Sequence, residues 1–286
     1  MKITVLITCY AEGNKLLDAV SSLRKQSLQD YELLIVNDHS TDEQTNKVCR
    51  DLAQSGINII WRSHNGGLSA ARNTGIAAAK HELIVPLDAD DILPEHALET
   101  IHLAFESFHC DFIFGNYSFG GKTVYTDSLC AKGNQLEPSL LISNWLLLGT
   151  SPFKKQVWAD IGGYDEDPII SNTVQDMDFF MSAITAGKKG CHVRELIYQW
   201  NDTPESMNKR IPPKAYAHLE IKHLSFLKKY KFHDEAQMNN YIVTMLFHNK
   251  QYRELTNFSS PSHFRCLSFK NRIKYLYACI LKSQYE

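Results

Sequence analysis

Five short apolar runs, each followed by a polar turn and, for the first four, a helical stretch, fill the first 115 residues. The runs Ile3–Ile7, Leu33–Val36, Ile57–Trp61, Leu83–Leu87 and Asp111–Phe114 have the length and content of strands. Between them, Leu16, Leu17, Val20 and Leu23 recur at helical spacing. Ser40 and Glu43, three apart, read as a capping box opening a helix through Val48 and Leu52. Ser69–Ala79 is an alanine-rich helix, and Pro94 stands where the first turn of another would begin. Strands alternating with helices imply parallel pairing with helical crossovers, hence a doubly wound α/β sheet. Ligands of such sheets lie beyond the carboxyl ends of the strands. Here those ends are Thr8-Cys9-Tyr10, Asn37-Asp38 and Asp88-Ala89-Asp90-Asp91.

After Asn116 the alternation loosens. A hairpin is expected around Gly120-Gly121, a helix over Leu136–Leu148, an amphipathic helix over Thr173–Ala186 and a strand over Glu195–Trp200. Pro212-Pro213 interrupts the chain, and mostly helical patterns follow. The expected division is therefore a region 1–210, itself a nucleotide-binding half (1–115) and an acceptor-binding half (116–210), then a helical region 211–286. With 44% hydrophobic residues the 286-residue chain can bury a large core, and its net charge of -2 argues against a nucleic-acid binder. No apolar run approaches the roughly 18 residues a membrane span needs, and no signal-peptide cleavage site is visible. The seven cysteines are scattered without a CxxC pair, which suits free buried thiols in a reducing compartment. Together these features point to a soluble, cytoplasmic protein.

The most specific segment is Val85-Pro86-Leu87-Asp88-Ala89-Asp90-Asp91, where a strand delivers three carboxylates beyond its end. Hard divalent cations take carboxylate and phosphate oxygens together, often through only one or two protein carboxylates. Read alone, the same acids could simply cap a helix. Asp38 could accept an N–H from a base edge or cap a helix, and Arg72, in Asn65-Gly66-Gly67-Leu68-Ser69-Ala70-Ala71-Arg72, could reach an anion or stay exposed.

Taken in order, these segments resemble the family 2 glycosyltransferases, inverting enzymes of the GT-A fold. Val5 to Glu12 resembles that family's first strand and loop, and Asn37-Asp38-His39-Ser40-Thr41-Asp42 its DDGSTD block. Arg72-Asn73-Thr74-Gly75 and Asp88-Ala89-Asp90 match further blocks, the latter its DxD. Gly162-Gly163-Tyr164-Asp165-Glu166 resembles GGFDE, and Gln175-Asp176-Met177-Asp178-Phe179-Phe180 resembles its ED-x-D-[FL]-W. The resemblance implies a mixed, mainly parallel GT-A sheet with a C-terminal helical extension, and transfer from a nucleotide-diphospho-sugar. It implies that Thr8, Tyr10, Asp38 and Arg72 hold the base, favouring uridine, with Glu12 and Ala89 in the same nucleotide-sugar site. Asp88 would contact ribose or sugar, Asp90 would bind Mn²⁺ or Mg²⁺ on the diphosphate, and Asp176 would be the catalytic base. Val174, Met177 and Met181 would bury one face of its helix and leave Asp176 free.

Two positions depart from the family's pattern. Gln175 replaces the usual acid before the base, and Asn201 stands where a metal-binding His is often found, at the end of Tyr198-Gln199-Trp200-Asn201. From Leu255 to Tyr285 there is no Asp or Glu, while Arg265, Lys270, Arg272, Lys274 and Lys282 lie among Phe269, Ile273, Leu276, Tyr277 and Ile280. Such a basic amphipathic helix suits the inner face of a membrane, or packing on the catalytic region. The expected partners are a UDP-sugar and a saccharide or lipid-linked acceptor, in bacterial surface-polysaccharide synthesis. A nucleotidyltransferase would need a glycine-rich basic first loop, whereas Thr8 to Gly13 has one Gly and no base. A non-catalytic sugar-nucleotide binder would be expected to lack Asp90 or Asp176.

Overall fold

A computed structural model describes residues 1–130, 133–143, 145–201, 211–232, 234–248, 255 and 267–285. The chain forms two compact units, Met1–Lys209 and Arg210–Glu286. The first opens with β1 (Ile3–Cys9), α1 (Lys15–Arg24), β2 (Tyr31–Asn37), α2 (Glu43–Gln54) and β3 (Asn58–Trp61). It continues through α3 (Gly67–Ala78), β4 (Leu83–Asp88), α4 (Ala97–Ser107), β5 (Phe112–Phe119) and β6 (Lys122–Val124). Then come α5 (Pro138–Ser143), β7 (Phe153–Lys154), α6 (Lys155–Ile161), α7 (Gln175–Thr185) and β8 (Gly190–Trp200).

One sheet runs β3-β2-β1-β4-β7-β5-β6, with β8 on β5. The first four strands are parallel, and β1 is buried at all seven positions, as a central parallel strand covered on both faces should be. Gly75 lets α3 lie close to this sheet: a Cβ there would stand 2.2 Å from Leu6 Cδ1 and 3.0 Å from Val36 Cγ2. The doubly wound expectation needs one correction. β5 does not pair with β4, because the two-residue β7 lies between them, antiparallel to both. The hairpin at Gly120-Gly121 forms as β5–β6.

Three local expectations also change, each because a side chain is committed elsewhere. The N-cap of α2 is Asp42, which accepts from Thr45 N at 2.7 Å, while the Ser40 hydroxyl donates to the Tyr10 carbonyl. Pro94 precedes α4 instead of opening it, since Gln26 Nε2 and Ser27 N take the carbonyls of Leu93, Pro94 and Glu95. Among the described residues of Leu136–Leu148 only Pro138–Ser143 is helical, and Trp145–Leu148 has no regular secondary structure.

The second unit contains α8 (Pro213–Lys222), α9 (Leu224–Tyr230), α10 (Glu235–His248) and α11 (Phe269–Tyr285). Ile242, Val243 and Leu246 of α10 share a core with Ala278 of α11. Of the apolar residues expected along α11, Ile273 and Leu276 are 52% and 53% exposed, whereas Asn271 and Lys274 are buried against α10; the side chains of Phe269, Tyr277 and Ile280 lie outside the described residues. Lys274 Nζ donates to Thr244 Oγ1 at 3.3 Å, and Asn271 Oδ1 accepts from the same hydroxyl at 3.0 Å. Among the described residues, no helix is long and apolar enough to cross a membrane. Six of the seven thiols are described and free, four of them buried; Cys266 and Arg265 lie outside the described residues.

Candidate active site

Parallel register brings the strand ends together. Thr8 stands opposite Val36 on one side and Asp88 on the other, and Cys9 opposite Asn37. Thr8, Asp38 and the Asp88–Asp91 turn therefore share one edge of the sheet, where a ligand would lie. Thr8 is buried and Tyr10 is exposed, its ring hydroxyl 3.4 Å from Thr41 Oγ1. Glu12 folds back on its own loop, accepting from Tyr10 N at 2.6 Å and Ala11 N at 3.0 Å. Ala89 is buried, and Asp88 and Asp90 on either side of it are partly exposed.

Asp38 holds the protein's own backbone. It pairs with Arg62, and it accepts from Gly66 N at 3.1 Å and Gly67 N at 2.8 Å. Asn172 Oδ1 takes Leu68 N and Ser171 Oγ takes Ser69 N, at 2.9 and 3.3 Å, so the opening N–H groups of α3 are all satisfied. Gly67, at φ 82°, makes this close approach feasible, since a Cβ would stand 2.7 Å from Asn172 Nδ2. His39 follows with a left-handed backbone of φ 54°, its ring Nδ1 3.3 Å from the Arg62 carbonyl.

Arg72 differs most from the sequence expectation. It is 3% exposed, and its Nη2 donates to Asp88 Oδ1 at 2.9 Å while its guanidinium lies 5.4 Å from the centre of the Tyr164 ring. Burial opposes its charge, but Asp88, Tyr164 and Asp176 outweigh it and hold the guanidinium firmly protonated. Arg72 thus buttresses the acidic turn through Asp88. Its Nη1 is buried without a hydrogen-bond partner, as are Tyr164 Oη and Gln175 Oε1. The neighbouring Asn73 staples the Gly162–Glu166 segment: it donates to the Tyr164 carbonyl and Glu166, and accepts from Trp158 Nε1 and Tyr164 N, all within 2.9 Å.

Asp176 lies in the first turn of α7, partly buried. Of the expected Val174–Met177–Met181 stripe, Val174 and Met181 are buried and Met177 only partly, and the buried face also takes in Gln175, Asp178, Phe179 and Phe180. Phe179 stacks on Tyr164 with ring centres 4.3 Å apart, which ties α7 to the residue beneath Arg72. Burial raises the Asp176 carboxyl above its ordinary range, against the Met177 N–H and Arg72, which favour the ionised form. Gly149 packs directly on it: a Cβ there would stand 2.6 Å from Asp176 Cβ and 2.9 Å from its Oδ2.

The acidic turn carries more negative charge than its surroundings neutralise. Burial and Asp88 push Asp90 upward; burial pushes Glu12 upward with Asp90 adding to it. Burial, then Asp88, takes Asp91 up to about 8. The one guanidinium in this cluster is committed to Asp88. This charge excess suits a hard divalent cation. Among the described residues no group of three or more His, Cys, Asp or Glu could hold a metal, so the chain would offer Asp90 and leave other positions to phosphate oxygens. Asn201 is a strut: its Nδ2 donates to the Asp90 carbonyl at 2.8 Å and its backbone N to Asp91 Oδ1 at 2.8 Å.

Sequence reasoning assigned no role to Asn73, Asp91, Gly149 or Tyr198. Asp91 was visible as a third acid, and Asn73 and Tyr198 lay inside blocks already singled out. Their partners are distant in sequence, and only folding reveals them.

Comparison with known proteins agrees with this geometry. The profile of Glycosyl transferase family 2 matches residues 4–148. Similar proteins include Glycosyltransferase GlyG of Streptococcus pneumoniae, 32% identical over 40% of this chain and 38% of the relative. Another is the poly(ribitol-phosphate) beta-N-acetylglucosaminyltransferase TarP of Staphylococcus aureus, 31% identical over 54% of this chain and 50% of the relative. The chain thus spans about half or less of the length of these two relatives. The structure of S. aureus TarS 1-349 in complex with UDP-GlcNAc superposes with a TM-score of 0.67 over 97% of this chain and 79% of that one. At 16% identity, that likeness establishes a shared fold, GT-A.

Proposed function

The chain belongs to glycosyl transferase family 2, and from that premise we propose that it is an inverting sugar transferase. Its donor is a nucleoside-diphosphate sugar, specifically a UDP-sugar, and its acceptor a saccharide or lipid-linked saccharide of a bacterial surface polysaccharide. The N-acetylglucosaminyltransferase activity of TarP and the UDP-GlcNAc complex of TarS support the donor class. The observation that carries the reading is the Arg72 bridge, which puts Asp176 and Asp88 in the field of one buried guanidinium.

In this reading Asp88 and Asp90 face the donor and Asp176 faces the acceptor. The acceptor hydroxyl oxygen attacks the anomeric carbon as the bond from that carbon to the diphosphate oxygen breaks. The hydroxyl proton passes to an Asp176 carboxylate oxygen, and the bonding electron pair leaves with UDP. Burial raises the proton affinity of Asp176, which improves it as a base, while Arg72 pulls in the opposite direction, toward the ionised form. Mn²⁺ or Mg²⁺ bound at Asp90 would supply charge neutralisation for the departing diphosphate. The exposed Tyr10 ring offers the base a surface to lie on, beside the loop that Asp38 fixes.

In the second unit, exposed Ile273 and Leu276 on a helix free of acids support peripheral contact with an anionic membrane, which salt-sensitive co-sedimentation with vesicles reads. The donor assignment is tested by thermal shift with UDP, ADP, GDP and CDP, each with and without Mn²⁺. UDP with Mn²⁺ should raise the melting temperature most, since a ligand of the native state stabilises by mass action. An equal response to all four nucleotides would remove the uridine assignment.

A further inference from the structure

The Asp88–Asp91 turn leaves the end of β4, whose sheet partners are β1 and β7. Besides the Arg72–Asp88 bond, the turn is hydrogen-bonded to the end of β8, which pairs with β5, and to Asn201 just after it. Tyr198 Oη accepts from Asp88 N at 3.2 Å and donates to Asp91 Oδ2 at 2.7 Å. Asn201 holds the Asp90 carbonyl and the other Asp91 oxygen, and Gln199 exchanges two backbone hydrogen bonds with Ile92, at 3.1 and 2.9 Å. The turn is therefore tied to β8 at Asp88, Asp90, Asp91 and Ile92. Among the described residues, Tyr198 is the one side chain that reaches both the first and the last acid.

The placement of Tyr198 is built into the strand. β8 pairs with β5 from Phe112↔Gly190, but the register shifts between Gly115 and Asn116 and again between Asn116 and Tyr117. β-Bulges of this kind re-aim the side chains that follow them, and here the residue opposite Tyr117 is Tyr198. Its ring is 4% exposed within the main core, so the hydroxyl is delivered to the turn by a side chain that cannot swing away. Asp91 accepts Tyr198 Oη on one oxygen and Asn201 N on the other, which makes this acid a brace and leaves Asp88 and Asp90 to face a ligand.

We propose that Tyr198 is a positioning residue whose hydroxyl sets where Asp88 and Asp90 meet a nucleotide diphosphate and its cation. The proposal rests on the donor reading above and adds to it a residue on a strand outside the nucleotide-binding half. Removing the hydroxyl in Tyr198→Phe keeps the ring in the core but leaves Asp88 N and Asp91 Oδ2 without their shared partner.

Calorimetry with two probes, UDP plus Mn²⁺ and uridine alone, tests this on the full chain. Tyr198→Phe should weaken UDP–Mn²⁺ binding by about tenfold, the scale of one lost buried hydrogen bond, and leave uridine affinity unchanged. Ile113→Val, in the same core but remote from these hydrogen bonds, should change neither. Asn201→Ala, which removes the bond to the Asp90 carbonyl and the one accepted from Gln199 Nε2 at 3.3 Å but keeps the backbone bond to Asp91, should weaken UDP–Mn²⁺ in the same direction and serves if Tyr198→Phe does not fold. Wild-type UDP–Mn²⁺ affinity in a folded Tyr198→Phe, or in Asn201→Ala should Tyr198→Phe not fold, would overturn the proposal. Equal loss for both probes would also overturn it, as a general structural effect. Absence of UDP–Mn²⁺ binding in the wild type would instead overturn the donor reading, and the proposal with it.

Discussion

Asp176→Asn should lower turnover by about 10²-fold or more, the usual cost of losing a positioned general base, while UDP affinity stays unchanged. The amide keeps the shape and much of the hydrogen bonding of the carboxylate, and Gly149 leaves room for either against its Cβ. What the variant cannot do is take the acceptor proton. Because burial raises the Asp176 carboxyl, activity in the wild type should fall as pH drops through a value above the ordinary carboxylate range. That acid limb should vanish in the variant's residual rate. Stability should move the other way. A carboxyl raised on folding stabilises the native state below its unfolded value, and that contribution is lost as pH rises through the folded one. Asparagine has no charge to desolvate, so above the folded value Asp176→Asn should melt no lower than wild type. A variant with normal turnover would move the base to another acid; Asp178, 2% exposed, is poorly placed to be it.

The second large effect is expected at Asp90. Asp90→Ala should lose about 10²- to 10³-fold in transfer, the scale of removing one preorganised electrostatic contact to the departing charge. The manganese-dependent part of UDP stabilisation should disappear with it. The fold should survive, because Asn201 holds the backbone carbonyl of Asp90, which alanine retains. Losing this carboxylate also relieves its repulsion with Asp88 and Glu12. Circular dichroism and thermal melting would show a native variant at least as stable as wild type. Wild-type transfer that persists in excess EDTA would contradict the cation's part in this account.

The strand ends were legible because two signals coincide there. Apolar runs such as Ile3–Cys9 end abruptly, and the residues that follow are acids or hydroxyls with no place in a core. β7 was not legible, since two residues carry no periodicity, and their strand character comes from the neighbours they find. The Leu136–Leu148 run misled for a related reason. Its apolar content matched a helix, but the chain must pass Gly149 against Asp176, and close backbone approach there replaces a continued helix.

Charge pairing was the least legible layer. Arg72 could be seen as a candidate, yet which carboxylate would take it depended on the packing of α3 over the sheet at Gly75. Asp38 behaves likewise: an acid at a strand end could have faced a ligand, and the turn at Gly66 and Gly67 gives it backbone donors first. Tyr198 was read as part of a strand, and two register shifts decide where its hydroxyl goes.

In the proposed reaction one base, Asp176, and one leaving diphosphate allow a single displacement. The most direct measurement is the anomeric configuration of the first-formed product, read by proton NMR from the coupling of its anomeric hydrogen during turnover of a UDP-sugar. A single displacement gives the configuration opposite to that of the donor. A product that retains the donor's configuration would contradict it.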